Sequence, residues 1–169
     1  MRLMPAKIAL AIVVLILCGF RFSLVFGELS WEKIDAALRE DFPGVRNMDV
    51  EELQRRMAQG DKLHLVDVRS REEFLVSHIP GAVLVEDFDV GSRLEDIPIV
   101  AYCSVGLRSA KYVRSLQEEG VQEVFNLRGS IFMWANKGFE LYSSQGGPLE
   151  VHPYNSRWGK LLDQRFHPR

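Results

Sequence analysis

Cys103 and Arg108 delimit a six-residue segment whose residue types suit nucleophilic chemistry. The segment, Cys103-Ser-Val-Gly-Leu-Arg108, follows an apolar run that ends at Tyr102 and precedes a helical pattern that reaches Glu119. Backbone N–H groups and the helix dipole at such a strand-to-helix turn stabilise an anion, so a thiol there should have a lowered pKa. Arg108 adds a fixed positive charge. The segment therefore predicts a nucleophilic cysteine in an anion-binding loop.

A second charged cluster, Asp67-Val-Arg69, ends another apolar run. In open α/β sheets the ligand crevice lies beyond the carboxyl ends of the strands, so both clusters are expected at the same edge of the sheet. The Cys103 segment taken alone also fits a second interpretation, in which the cysteine is an inert buried residue.

Other chemistries find less support in the residue pattern. His64 lies within an apolar run, His78 precedes a Pro-Gly pair, and His152 and His167 lie near the C-terminus, so their spacing does not indicate a zinc site. The glycines form no nucleotide-binding pattern. We therefore expect neither a metal nor a cofactor. A Cys–His protease stays open on spacing alone, although nothing else favours it.

Length, composition and charge narrow the class of protein. The chain has 169 residues, 47% of them hydrophobic and 26% charged, which suits one domain with a tail and excludes a disordered chain. Residues 28–169 hold 18 basic and 23 acidic side chains. This acidic balance argues against nucleic-acid binding, which needs a basic face. Two cysteines 85 positions apart do not make a disulfide scaffold.

Residues 1–27 form an apolar leader that carries three basic residues and no acidic one. One interpretation is a signal peptide, cleaved after Val25-Phe-Gly27. The other, which we prefer, is a single-pass membrane anchor over residues 8–27, with Arg21 extending toward the headgroups. Both interpretations deliver the folded part to a membrane or beyond it, on a side that the sequence leaves open.

The rest of the chain alternates between helical and strand patterns. Ser30 is expected to cap a first helix that stops at Pro43-Gly44, and Asp49 with Glu52 resembles a capping box for a second. Alternation of this kind predicts parallel strands joined by right-handed crossovers, hence an α/β sandwich. Strands are expected over 63–68, 82–85, 97–102 and 123–127, and two further helices over 107–116 and 131–137.

The C-terminal residues carry aromatic and basic side chains, and 157–165 could form a short amphipathic helix. One interpretation is contact with anionic lipid or an acidic partner. The alternative, which we prefer, is that the aromatic side chains pack back onto the domain. We divide the chain into a leader (1–27), a short helix and linker (28–44), a globular domain (45–145) and a tail (146–169).

Residues 45–145 contain an ordered series of segments: Leu65-Val-Asp-Val-Arg69, Glu73-Phe74, His78-Ile-Pro-Gly-Ala82, Tyr102-Cys-Ser-Val-Gly-Leu-Arg-Ser109 and Asn126-Leu-Arg-Gly129, followed by Trp134 and Gly138. This series resembles a single rhodanese domain. The resemblance implies a three-layer sandwich with a parallel five-stranded sheet flanked by helices. It also implies a sulfurtransferase whose persulfide forms on Cys103.

The same resemblance assigns roles to the other site residues. The loop that binds the substrate would consist of Ser104, Val105, Gly106, Leu107 and Arg108. Asp67 and Arg69 match a charged pair that supports the site, and Arg69 would bond to Glu73. Gly129-Ser130 departs from a pair of glycines common in the family. The loop has one basic side chain, Arg108, which suggests modest use of thiosulfate.

The implied reaction moves a sulfane sulfur from thiosulfate or another persulfide donor to a thiol or cyanide, with no metal or organic cofactor. One alternative is a membrane-tethered sulfur carrier or binding module without turnover. A less favoured one is a cysteine-dependent phosphatase or arsenate reductase. Such phosphatases have one more residue between Cys and Arg than the four found here.

Overall fold

The computed structural model describes residues 28–89, 91, 97–143, 146 and 149–168. The leader, with the anchor or signal peptide predicted there, lies outside these residues. In the ranges that are described, no helix combines the length and apolar character needed to cross a bilayer.

Five parallel strands form the sheet, which confirms the predicted fold class. They lie in the order β1-β5-β4-β2-β3, so the central strand β4 has β5 on one side and β2 on the other. The strands are β1 (Asn47–Met48), β2 (His64–Asp67), β3 (Val83–Leu84), β4 (Ile99–Tyr102) and β5 (Val124–Leu127).

The helices that accompany the sheet include the four that the sequence predicts. They are α1 (Trp31–Asp41), α2 (Val50–Ala58), α3 (Arg71–Val76), α4 (Leu107–Glu118) and α5 (Ser130–Asn136). The unpredicted helix is α3, which has six residues and too short an apolar pattern to be recognised. A 3-10 turn over Val85–Asp87 follows β3.

Strand β4 lies at the centre of the hydrophobic core, and all four of its residues are buried. Trp134 and Phe132 of α5 and Leu53 of α2 pack into the same core. Burial of one such side chain contributes about 1.5–3 kcal/mol to folding. The β2–β4 register pairs Asp67 with Tyr102, so both predicted polar clusters begin at the same edge of the sheet.

The capping of the helices differs from the expectation at one position. Ser30 caps α1 as predicted, since its hydroxyl accepts from the Lys33 N–H at 3.4 Å. Asp49 stands at the N-cap of α2 but makes no capping hydrogen bond. The capping box expected there is wrong, because the Asp49 carboxylate faces Arg128 and Glu52 pairs with Arg55.

A complete capping box occurs instead at α3. The Ser70 hydroxyl accepts from the Glu73 N–H at 3.3 Å, and the Glu73 carboxylate accepts from the Ser70 N–H at 3.0 Å. The reciprocal bonds satisfy two backbone donors that a helix start would otherwise leave unpaired. They also fix the Glu73 side chain, whose carboxylate points toward the Cys103 loop.

The tail lies against the domain. Residues 157–165 form two 3-10 turns, Trp158–Leu161 and Gln164–Phe166, so the amphipathic helix expected there is wrong. Gly159 explains the difference in part, because glycine disfavours a helix interior. The backbone of Gly159 also lies close to Pro153, since an added Cβ would lie 2.9 Å from the Pro153 Cβ. Trp158, Leu161 and Phe166 pack on the core, as the preferred interpretation of the tail predicts.

Candidate active site

The Cys103–Arg108 loop joins the end of β4 to the start of α4. Gly106 has a φ of +110°, in the left-handed region that a residue with a side chain rarely adopts. From the far side of the loop, the N–H groups of Ile131 and Phe132 donate to the carbonyls of Cys103 and Ser104, each at 3.1 Å. These bonds tie the backbone of the loop to the first turn of α5.

Ser130 occupies the position where the sequence departs from a glycine pair. Its φ of +49° is also left-handed, and its buried hydroxyl accepts from the Cys103 N–H at 3.1 Å while it donates to the Leu127 carbonyl. The side chain thus gains two hydrogen bonds at the cost of an uncommon backbone conformation. It anchors the backbone of Cys103 to the end of β5.

The Cys103 sulfur accepts a hydrogen bond from the Gly106 N–H at 3.2 Å. Cys103 is buried, and burial raises the pKa of its thiol. The charge of Arg108 and hydrogen bonds from Ser109 and Gly106 outweigh burial, so that the pKa lies below its ordinary value. The hydrogen bonds from the loop and the charge of Arg108 therefore favour the thiolate form of Cys103.

Arg108 and Glu73 form a bidentate ion pair beside the loop. The two terminal nitrogens of Arg108 donate to the two Glu73 oxygens at 2.8 and 2.7 Å, and one of them also donates to the Ser104 hydroxyl at 3.0 Å. Burial raises the pKa of Glu73, but its bonds to Arg108 and the Ser70 N–H prevail and lower that pKa to about 2. Glu73 is therefore ionised throughout the physiological range.

Arg69 bonds to a different acid from the one expected. Its guanidinium donates to both Asp67 oxygens, at 2.7–3.0 Å, and to the Ser77 carbonyl at 2.6 Å. The predicted bond from Arg69 to Glu73 is absent from the described structure, because Arg108 takes both Glu73 oxygens. The fully buried Asp67–Arg69 pair instead links the end of β2 to the residue after α3.

A polar chain behind the loop was not recognised in the sequence. The Ser109 hydroxyl donates to the Asn126 side chain at 2.6 Å, and Asn126 donates in turn to Asn47 at 2.8 Å. Ser109 and Asn126 are fully buried. The available signal was an asparagine within the otherwise apolar strand Val124–Leu127, since a buried amide requires partners.

A pocket of about 150 Å³ opens above the nucleophile. Its loop side is formed by Cys103, Ser104, Val105, Leu107 and Arg108, and its other side by Tyr154 and Trp158 of the tail. The tail aromatics were not predicted to lie at the site, because about fifty residues separate them from Cys103 and only the tertiary fold brings them there.

A larger cleft, of about 450 Å³, lies around Arg128. Its charged groups pair with one another: Arg128 with Asp35 at 2.7 Å, and Lys137 with Glu51 at 2.7 Å. No cysteine or histidine lines this cleft. Among the residues with described positions, no group of three or more histidine, cysteine or acidic side chains is arranged to hold a metal ion. The candidate site is therefore the pocket at Cys103.

Several known proteins are similar to this chain in sequence. A family model described as the rhodanese-like domain matches residues 49–137. A protein named sulfurtransferase from Allochromatium vinosum is 33% identical over 106 residues, which cover 60% of this chain and 99% of the relative.

Two further comparisons involve proteins from Staphylococcus aureus and Bacillus subtilis. A rhodanese-like domain protein from Staphylococcus aureus superposes with a TM-score of 0.50 at 28% identity, covering 59% of this chain and 100% of that structure. A putative sulfur carrier protein from Bacillus subtilis is 26% identical over 102 residues. That alignment covers 58% of this chain and 55% of the relative, so the chain spans about half the length of that protein.

Proposed function

The chain belongs to the rhodanese-like domain family, and from this premise we propose that it is a sulfurtransferase that carries a sulfane sulfur on Cys103. The supporting observation is the sulfur of Cys103, which accepts from the Gly106 N–H and lines the same pocket as Arg108. These groups favour the thiolate, which is the form of cysteine that attacks sulfur.

In the first half-reaction the Cys103 thiolate attacks the outer sulfur of thiosulfate or of another persulfide donor. With thiosulfate, a bond forms between the Cys103 sulfur and the outer sulfur, the S–S bond of thiosulfate breaks, and sulfite leaves with the bonding electrons. The enzyme is left with a persulfide anion. Loop N–H groups and Arg108 stabilise this anion as they stabilise the thiolate.

In the second half-reaction an acceptor takes the outer sulfur of the persulfide. An acceptor thiolate, or cyanide, forms a new bond to that sulfur, and the Cys103 thiolate leaves. The cycle is covalent catalysis of the ping-pong type, with no net oxidation. Glu73 holds Arg108 in place, and Asp67 and Arg69 hold the strand end from which the neighbouring loop departs.

The test is turnover of thiosulfate with cyanide by the full chain, measured as thiocyanate formed. We expect many turnovers per chain, and a loss of at least about 1,000-fold in Cys103→Ser, the scale expected when a nucleophile is removed. Cys18→Ser, which removes the other cysteine, is the control and should keep its rate. Stoichiometric loading without turnover would show a sulfur carrier, and an active Cys103→Ser would overturn the proposal.

For the leader, we propose that residues 8–27 anchor the chain to a membrane. The support is their apolar character, interrupted at Arg21 and Ser23, together with basic residues at positions 2 and 7. Full-length chain should remain in the membrane fraction after washing at high salt and high pH, whereas a chain starting at residue 28 should not. Recovery of a shortened chain in the soluble fraction, shown by intact mass, would indicate a cleaved signal peptide instead.

A further inference from the structure

The tail segment, residues 149–168, is fixed to the domain at several points near the active site. The Val151 N–H donates to the Phe166 carbonyl at 2.7 Å, which closes the segment into a loop. Asn136 of α5 donates to the Leu161 carbonyl and accepts from the Asp163 N–H, each at 2.8 Å. The position of the segment is therefore set by contacts with the folded domain.

Two aromatic side chains of this loop reach the pocket. The Tyr154 ring lies with its centre 4.8 Å from the Arg108 guanidinium carbon, a distance typical of a cation–π contact. Trp158 lines the same pocket, and its backbone N–H donates to the Asn155 side-chain oxygen at 3.1 Å. Both residues follow position 137, so the match to the family model does not include this aromatic wall, which consists of Tyr154 and Trp158.

The charge in the pocket is largely compensated. Arg108 is the one cationic side chain among the seven residues that line it. Both terminal nitrogens of Arg108 donate to Glu73, and Tyr154 covers its face. A dianion such as thiosulfate would have to compete with the Glu73 carboxylate for these donors. Val105, Leu107 and Trp158 supply apolar surface instead.

On the basis of the proposed function, we infer that Tyr154 and Trp158 make the site selective for a small organic persulfide with an apolar carrier group, in preference to thiosulfate. The carrier would pack against the two aromatic rings while its outer sulfur faces Cys103. An apolar cavity of about 150 Å³ accommodates a group of the size of benzene, which matches the volume of this pocket.

The transfer from such a donor, R–S–SH, balances without a further reactant. The Cys103 thiolate attacks the outer sulfur, a bond forms between these two atoms, and the S–S bond of the donor breaks. The products are Cys103–S–SH and the carrier thiolate R–S⁻, which leaves with the bonding electrons. The released carrier is less polar than sulfite, so an apolar wall suits it.

The experiment measures the rate at which Cys103 of the full chain is loaded by three donors: benzyl persulfide, cysteine persulfide and thiosulfate. Loading is followed by intact mass, and each rate is divided by the rate of the same donor with free cysteine, which removes differences in intrinsic reactivity. We expect the largest normalised rate with benzyl persulfide. A larger normalised rate with either of the polar donors would overturn the inference.

Variants of the aromatic wall then test where the preference arises. Trp158→Ala and Tyr154→Leu should each lower the preference for benzyl persulfide over thiosulfate by about tenfold, the scale of a lost apolar contact in a binding pocket. Tyr154→Phe keeps the ring and should retain the preference. Tyr142→Leu is the matched control, because Tyr142 is about as exposed as Tyr154 and does not line the pocket.

The outcomes separate the inference from the function on which it rests. If Tyr154→Leu and Trp158→Ala lower the rates of all donors by the same factor, the wall has a structural role and the inference fails, while sulfur transfer stands. If no donor loads Cys103 of the parent chain, the proposed function itself fails. Tyr154 is half exposed, so its replacement leaves the fold intact and keeps the test decisive if Trp158→Ala does not fold.

Discussion

The ionisation of Cys103 depends on a balance between burial and neighbouring positive charge. Burial alone would favour the neutral thiol. The Arg108 charge and the N–H groups of Ser109 and Gly106 oppose burial and lower the pKa of Cys103. Arg108 in turn is held by Glu73, so the reactivity of the sulfur is coupled to a carboxylate on another helix.

Replacement of Arg108 by methionine should raise the pKa of Cys103, because the thiolate loses its cation and faces an unpaired Glu73 carboxylate. In a Cys18→Ser background, where Cys103 is the remaining cysteine, the pH profile of alkylation by iodoacetamide should move to higher pH. The double variant Arg108→Met/Glu73→Gln should recover part of the shift, since the unpaired negative charge is gone. Identical profiles in all three chains would contradict the assigned role of Arg108.

Glu73 should stabilise the fold in a pH-dependent manner. Its pKa in the folded protein, about 2, lies below the ordinary value of 4.5, so its contribution is present above pH 4.5 and is lost as the pH falls toward 2. Glu73→Gln keeps the geometry of the capping box but removes the charge. We expect a loss of about 1–3 kcal/mol in the free energy of urea unfolding at neutral pH.

The difference between Glu73→Gln and the parent chain should shrink as the pH is lowered through this window. A matched control is Glu72→Gln, which lies on the same turn of α3 and makes no ion pair with Arg108. A difference that stays constant from neutral pH to pH 2 would show that the ion pair is not its source.

The individual site residues were predictable to different degrees. Cys103 and Arg108 could be found because their types and their place between a strand and a helix carry the chemistry. Which acid binds which arginine could not, since Glu73 is four positions from Arg69 in the chain and 35 from Arg108. That choice depends on how α3 lies against the loop, which the local pattern does not encode.

At the scale of elements, long apolar patterns predicted strands and helices correctly, whereas the shortest elements were not predicted. The predicted strand over 97–102 and the helix from Leu107 correspond to β4 and α4. The apolar residues of these two elements form patterns long enough to be recognised in the sequence. β1 has two residues and α3 has six, so each is too short to show a repeating pattern of apolar residues. Asp49 and Glu52 have the spacing of a capping box, but Asp49 pairs with Arg128 from a distant part of the chain and Glu52 pairs with Arg55 within α2.

The turn from β5 into α5 depends on Gly129. Its φ is +75°, and an added Cβ would lie 2.5 Å from the Met133 Cβ, well inside contact distance. Gly129→Ala should therefore destabilise the protein by clearly more than the 1–2 kcal/mol or so expected for a left-handed alanine alone. It should also slow sulfur transfer, because α5 holds the carbonyls of the Cys103 loop.

Gly60→Ala is the matched control for Gly129→Ala. Gly60 has nearly the same φ, +78°, but an added Cβ there meets no atom within 4 Å. Comparison of the two variants by urea unfolding isolates the clash with Met133 from the backbone strain. Equal destabilisation in the two chains would show that the Gly129 turn can relax.

At the scale of the whole molecule, the tail is part of the fold. Val151 and Leu162 are buried, and Trp158 contributes to both the core and the Cys103 pocket. The sequence indicated that the tail aromatics pack back onto the domain, but not where. The position of the tail at the pocket depends on hydrogen bonds to Asn136 and Ser77, which a periodic pattern of apolar residues does not predict.

Truncation of a buried tail residue should therefore destabilise the domain as a core substitution does. Leu162→Ala should lower the free energy of unfolding by about 2–5 kcal/mol. Leu149→Ala, at a position in the same segment that is 44% exposed, should have little effect. Thermal unfolding followed by circular dichroism compares the two, and equal midpoints would indicate a tail that is not docked.

The central claim is that Cys103 carries the transferred sulfur. Intact-mass measurement of the full chain after treatment with a sulfur donor tests it most directly, with peptide mapping to distinguish Cys103 from Cys18. We predict a single adduct of about 32 Da on the Cys103 peptide that disappears when cyanide or an acceptor thiol is added. An unmodified Cys103 after treatment with thiosulfate and with organic persulfides, or an adduct that no acceptor removes, would contradict the account.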